Sequence, residues 1–161
     1  HFEYVANSAD ESGDRDLRIE VSATFYDSPH MNDSQPVGSM DHLYDYEVVE
    51  VFLLGSDDRY LELEFAPKGQ YLVLQLHGSG NVTKYPLDLD SFTAKIDGDK
   101  WSGSCVVPRD YLPPDLTKFN AYGIHGTDPD RHYLALSPTP YGKYTDPNFH
   151  RLDYFQAFEL K

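Results

Sequence analysis

The chain has 161 residues, 40% of them hydrophobic, and a formal net charge of -14. That length accommodates one domain with a substantial core, so a single domain over residues 1–161 is expected. The acidity excludes docking on phosphate backbones or anionic membrane surfaces, which needs clustered Lys and Arg, so neither nucleic acid nor a membrane is an expected partner.

In chain order, β-branched and aromatic residues at a period near two predict strands over Phe2 to Asn7 and Leu17 to Tyr26. The segment from Asp27 to Leu43 carries Pro29, Pro36 and Gly38 without periodicity and reads as a long surface loop. Strands follow over Val48 to Leu54, Tyr60 to Phe65 and Tyr71 to His77, separated by the turn sequences "GSDDR" and "PKGQ". Phe92 to Ile96 and Trp101 to Val107 flank "DGDK", and a helical turn is expected around Pro108 to Leu112. Lys118 to His125, Tyr133 to Leu136 and Tyr154 to Leu160 complete the set. Many short strands with regular turn punctuation predict an all-β fold, a two-sheet antiparallel β-sandwich.

Strand parity then sorts the side chains. Val49, Val51 and Leu53, Leu61, Leu63 and Phe65, and Leu72, Leu74 and Leu76 are assigned to the interior, as are Tyr122 and Ile124. A polar face carrying Glu50, Glu62, Glu64, Gln75, His77 and His125 follows. Glu50 is expected as a partly accessible carboxylate in a concave site. Glu47 falls on the interior parity at a strand entrance and needs a backbone amide, a tyrosine hydroxyl or a cation as partner, because an unpaired buried carboxylate costs several kcal/mol.

Other chemistry is sparse. Cys105 is the one cysteine, so there is no internal disulfide. Two glycosylation triplets, Asn32-Asp33-Ser34 and Asn81-Val82-Thr83, leave the compartment open, and His1 in place of Met points to a processed or trimmed chain. No G-x-S-x-G elbow, P-loop, H-E-x-x-H or metal-type cysteine spacing occurs. "GSDD", "DLD" and "DGD" lack the spacing of a calcium loop, and His1 is not expected to coordinate copper. No metal or cofactor is assigned, and the oligomeric state is open.

The stretches "YDYEVVEVFL", "YLELEFAPKGQYLVLQLHGSGNVTK", "YLPPDLTKFNAYGIHG", "RHYLALSP" and "NFHRLDYF" resemble the animal family typified by the product of human chromosome four open reading frame thirty-three, over Gly13 to Phe158. That resemblance brings no activity with it. More distantly, the chain is similar to carbohydrate-binding modules of family nine and DOMON-type domains. Tyr44 stands at their tryptophan, Glu47 at an acidic position, and Val49-Glu50-Val51-Phe52-Leu53 at their V-E-v-F-l. Phe119-Asn120, Leu136-Ser137-Pro138, Phe149-His150 and Phe155 follow in the same order. The resemblance implies a jelly-roll or immunoglobulin-like sandwich in which a sugar ring lies between two aromatic faces and a glutamate accepts its hydroxyls. Tyr44 and Glu50 would inherit those roles. Leu136 stands where the second aromatic is expected, leaving Tyr133 or Tyr141 to supply that face, and Gly123 stands at the arginine of the f-N-x-x-R element.

The reading that follows is a non-catalytic binding domain for a carbohydrate or similar small polar ligand, at the polar face or rim of the sandwich. Its expected ligand-binding residues are Tyr44, Glu50, Asn120, His125 and Tyr133. Two alternatives remain beside it: a protein-interaction or structural sandwich with no small-molecule site, and a metal-dependent or acid/base enzyme, which would need Glu50 close to His77 or His125.

Overall fold

A computed structural model describes residues 1–6 and 15–159. Twelve strands are described: β1 (Phe2–Ala6), β2 (Arg15–Thr24), β3 (Gly38–Ser39), β4 (Val48–Gly55), β5 (Arg59–Phe65), β6 (Gln70–His77), β7 (Val82–Lys84), β8 (Phe92–Asp97), β9 (Lys100–Val107), β10 (Leu116–His125), β11 (His132–Ala135) and β12 (Gln156–Ala157). Short 3-10 turns at Leu43–Asp45, Arg109–Tyr111 and Leu152–Tyr154 are the helical elements among the described residues. Asn7 and Leu160, expected at the ends of the first and last strands, lie outside those residues. None of the described helices is long and apolar enough to cross a membrane.

The strands form two sheets. The smaller runs β1-β2-β9-β8 and the larger β11-β10-β4-β5-β6-β3, with β12 also on β10 and β7 on β6. Pairing is antiparallel except between β3 and β6. The sandwich interior is built by alternation on both sides. Leu17, Ile19, Trp101, Cys105 and Val107 of the smaller sheet meet Val51, Leu53, Leu61, Leu63, Phe65, Tyr71 and Val73 of the larger. Their strand neighbours Arg18, Glu20, Ser102 and Ser104 point the other way, into solvent.

The larger sheet departs from this one-sided scheme, because its central strands are buried on both faces. Two chain segments cover its outer face. Met31 and Leu43 of the loop before β4 pack on Val48, Leu72 and Ile124. Phe155, with Phe149 and Leu152 beside it, packs on Phe52, Tyr60, Leu76 and Tyr122. Lys68 ties the first cover down by donating from Nζ to the Met31 carbonyl at 2.8 Å and to Asp33 at 2.7 Å.

That second hydrophobic layer overturns part of the parity assignment. In β6 the register pairs Leu63 with Val73 and Glu64 with Leu72, so Tyr71 and Val73 enter the sandwich while Leu72, Leu74 and Leu76 share the outer face with the glutamates. In β10, Tyr122 lies opposite Glu50 and Ile124 opposite Val48, again on the outer face, and Ala121 and Gly123 point inward. Gln75, His77 and His125 therefore leave the polar face on which they were expected. Gln75 donates to the Tyr111 carbonyl at 3.1 Å, and His125 stacks on Tyr26 at 3.7 Å between ring centroids. The physical reason is that the outer face of this sheet is itself covered, so the larger apolar side of β6 and β10 serves the second layer, and the more polar side of each strand no longer marks the solvent face. Val49, Val51, Leu61 and Leu63 keep their expected inward direction.

Glu47 finds backbone partners. Its two carboxylate oxygens accept the Tyr26 amide at 3.1 Å, and one accepts the Ser28 amide at 3.4 Å, anchoring the start of the 27–43 loop to the entrance of β4. Glu47→Ala leaves these amides without acceptors and is expected to lower unfolding free energy by about 1–3 kcal/mol in urea denaturation. A neutral result would remove the carboxylate as the anchor of this loop.

Candidate functional site

The two covers share Phe149 and Leu74 at their margins but leave part of the outer face of the larger sheet open. Between them lies a cleft of about 500 Å³, and its floor is a patch of carboxylates from adjacent strands. Glu50 of β4 is directly opposite Glu64 of β5, and Glu62, two residues before Glu64, is opposite Phe52. Side chains directly opposite each other in an antiparallel pair have Cβ atoms about 5 Å apart, so Glu50 and Glu64 stand side by side. All three glutamates are buried, at 3%, 7% and 2% exposure for Glu50, Glu62 and Glu64. Glu50 is thus a floor residue rather than the partly accessible group expected.

The walls come from elsewhere in the chain. Tyr44, in the 3-10 turn before β4, and Tyr133, on β11, present exposed rings at the rim. Phe149 and Asn148 close one side. Arg131, from the β10–β11 turn, lies 5.7 Å from the Tyr133 ring centroid and donates to the carbonyls of Tyr44 and Asp45, pinning one wall to the other. A second depression of about 420 Å³ shares Tyr44, Glu62, Glu64 and His150 and runs on over Leu72, Leu74 and Leu76 toward Tyr85.

Asn120 sets the far wall without entering the cleft. Fully buried, it donates from Nδ2 to the Tyr122 hydroxyl at 2.8 Å and the Ser137 carbonyl at 3.0 Å, and accepts the amides of Ala121 and Ser137 at 2.9 Å each. Tyr122 in turn donates to the Phe149 carbonyl at 3.0 Å and stacks on its ring at 4.0 Å. His150 is held on the same wall by the Tyr60 hydroxyl at 2.8 Å and through its carbonyl by Ser79 at 2.7 Å.

Of the five residues expected in the site, the structure brings together Tyr44, Glu50 and Tyr133. Asn120 is a wall anchor, and His125 lies at the sandwich edge, stacked between Tyr26 and His132. Sequence reasoning put Glu62 and Glu64 on a polar face without assigning them to the site. The signal available was "YLELEF", two glutamates alternating with core residues in a strand with little other polarity. Arg131 and Phe149 carried no such signal, since their roles depend on where two turns land.

Burial dominates the electrostatics. Desolvation pushes the Glu62 carboxyl up to about 7 and Glu64 to about 8, the latter with repulsion from Glu62 added and the Tyr44 amide opposing. Glu50 is raised well above the ordinary carboxylate range by burial and by Glu64 and Glu62, with Arg131 working weakly against them. Among the described residues, the ion pairs all lie elsewhere and none involves these three glutamates. The Glu64 Oε2 atom is buried and has no hydrogen-bond partner. Such a floor can accept hydrogen bonds, donate them while protonated, or hold positive charge.

The fold and cleft together define a two-sheet β-sandwich with an acidic recess on the outer face of its larger sheet. A solved structure from Bacteroides uniformis ATCC 8492, described as a candidate carbohydrate-binding protein, shares the fold with a TM-score of 0.58 at 19% identity, over 99% of this chain and 86% of that one. No family model matches the chain. The chain belongs to the UPF0462 family: it is 42% identical to the human UPF0462 protein C4orf33 over 92% of its own length and 76% of the relative's. The homologues of mouse and zebrafish are 42% and 40% identical, over 77% of each relative's length.

Two outcomes follow from the geometry. Above about pH 4.5 the unfolded chain has released the protons that the folded protein still holds on Glu62 and Glu64, so these groups make stability fall as pH rises from about 5 to about 8. Glu62, carried from 4.5 to about 7, accounts for about 3 kcal/mol of that loss, and Glu62→Gln should flatten the profile by this amount in denaturation at a series of pH values. A wild-type slope of opposite sign, or an unchanged slope in the variant, would contradict the burial of these groups. Asn120→Ala, which removes the tie to Ser137, should cost about 2 kcal/mol or more and increase hydrogen exchange in residues 137–150 ahead of the sheet.

Proposed function

We propose that this domain binds a carbohydrate or a similarly polar small molecule, without transforming it, in the cleft over Glu50, Glu62 and Glu64. One observation carries this reading: a floor of buried carboxylates with few internal partners, overlooked by two exposed tyrosine rings at the rim. Carboxylates in a water-poor recess make strong, directional hydrogen bonds to ligand hydroxyls. Aromatic faces such as those of Tyr44 and Tyr133 pack on the apolar faces of a sugar ring. The fold shared with the Bacteroides protein agrees with this reading but contributes analogy only.

A neutral-glycan array followed by calorimetric titration of the best binder tests the proposal. Tyr44→Ala should weaken binding about three- to tenfold, the worth of one aromatic contact. Glu50→Gln should weaken it by about tenfold or more through loss of a carboxyl hydrogen-bonding group, while thermal stability stays nearly level near neutral pH, where burial already keeps Glu50 protonated and the amide replaces a neutral group of the same shape. Failure of every glycan to bind, or full affinity in both variants, would refute the proposal.

A further inference from the structure

From a floor of three carboxyl groups without an ion pair, we infer that the ligand presents a positive charge, an ammonium or similar organic cation, to Glu50, Glu62 and Glu64; this rests on the preceding reading that the cleft holds a small polar molecule. Three carboxyl groups on two adjacent strands place up to three negative charges within one recess. Glu50 faces Glu64 directly, and Glu62 is one strand repeat away on the same face. Glu64 lines both the cleft and the adjoining depression, and its Oε2 is buried beneath them without a partner.

The groups packed against the floor do not neutralise it. Within the loop before β4, Asp41 and Asp45 add repulsion at Glu64, and Tyr44 offers it a backbone amide. Arg131, the cation of the β10–β11 turn, directs its guanidinium to two backbone carbonyls and pairs with none of the three. On the far wall, Asp146 is paired with Arg151 at 3.0 Å, and His150 is held by Tyr60, with burial lowering its tendency to protonate. β10 contributes Tyr122, whose hydroxyl is engaged by Asn120 and Phe149. β6 contributes leucines. Near neutral pH the floor is held neutral by protonation, and the three groups can ionise together only when positive charge arrives with the ligand.

The geometry favours an organic cation over a metal. Among the described residues, no group of three or more His, Cys, Asp and Glu side chains is arranged to hold a metal ion. The cleft is also much larger than a single ion, at about 500 Å³, and the Tyr44 and Tyr133 rings at its rim suit an ammonium carried on an organic frame.

An entering cation draws the raised carboxyl groups back toward ionisation, so binding near neutral pH releases protons that a neutral ligand would leave in place. The experiment is calorimetric titration of the chain with glucose, galactose and mannose and with their 6-amino-6-deoxy counterparts, whose primary amine stays charged from about pH 5 to 8. Runs at physiological salt in buffers of different ionisation enthalpy count the protons released. The amino form of at least one pair should bind about tenfold or more tighter than its neutral partner, and its affinity should rise with pH by up to about tenfold per unit as roughly one proton leaves. Glu64→Gln should bring the ratio of amino to neutral affinity toward one, with Glu62→Gln as the second variant and a melting curve checking that each is folded. Equal or tighter binding of the neutral sugars, or amine binding without proton release, overturns the cationic inference and leaves the sugar reading standing. Binding of neither class removes both. Tight calcium binding abolished by Glu64→Gln, with no response to amines, also overturns it.

Discussion

Burial on both faces of β4 and β5 is the constraint on which the rest of this structure depends. A sandwich of two sheets normally leaves each outer face in water, where glutamates alternating with leucines are at ease. Here the 27–47 segment and the 137–155 excursion cross the larger sheet and carry Met31, Leu43, Phe149 and Phe155 onto it. Covering Val48, Phe52, Leu54 and Tyr60 in this way draws Glu50, Glu62 and Glu64 out of bulk solvent with them. The apolar gain on either side holds the carboxylates in a place they would not occupy alone.

The gap between the covers keeps this arrangement tolerable. Were the two segments to close over the whole face, three acidic groups with no ion pair would be sealed in hydrocarbon. Where they stop short, the carboxyls line a recess that a ligand can enter. Asn120, with four hydrogen bonds, and the Tyr122–Phe149 stack fix where the second cover stops, and the Glu47 clamp on Tyr26 and Ser28 fixes where the first begins. The width of the cleft is thus set by buried polar groups outside it, which keep the cleft open against the tendency of its apolar walls to close.

The parts legible in the sequence were those in which polar and apolar residues alternate on a strand. "EVVEVFL" and "YLELEF" display their glutamates between core residues, so alternation alone gives the opposite directions of Glu50 and Val51, or of Glu62 and Leu63. Glu47 could be recognised as needing a partner for the same reason. "QYLVLQLH" and "NAYGIH" misled because a second apolar layer covers their outer side, so the larger leucines and tyrosine that alternation assigns to the sandwich serve that layer instead. His77 and His125 left the polar face with those strands.

By itself the sequence determined an acidic all-β sandwich, the family to which it belongs, and Glu50 on the face away from the sandwich core. These follow from local alternation, turn chemistry and motif identity, all of which act over a few residues. Only the tertiary structure decided that this face is roofed at both ends, that Glu62 and Glu64 join Glu50 on the floor, and that Arg131, beside the Tyr133 ring, bonds the Tyr44 carbonyl at the rim. Those outcomes depend on contacts between segments up to 87 residues apart, as in the bond from Arg131 to the Tyr44 carbonyl, and no local pattern encodes where two distant turns come to rest.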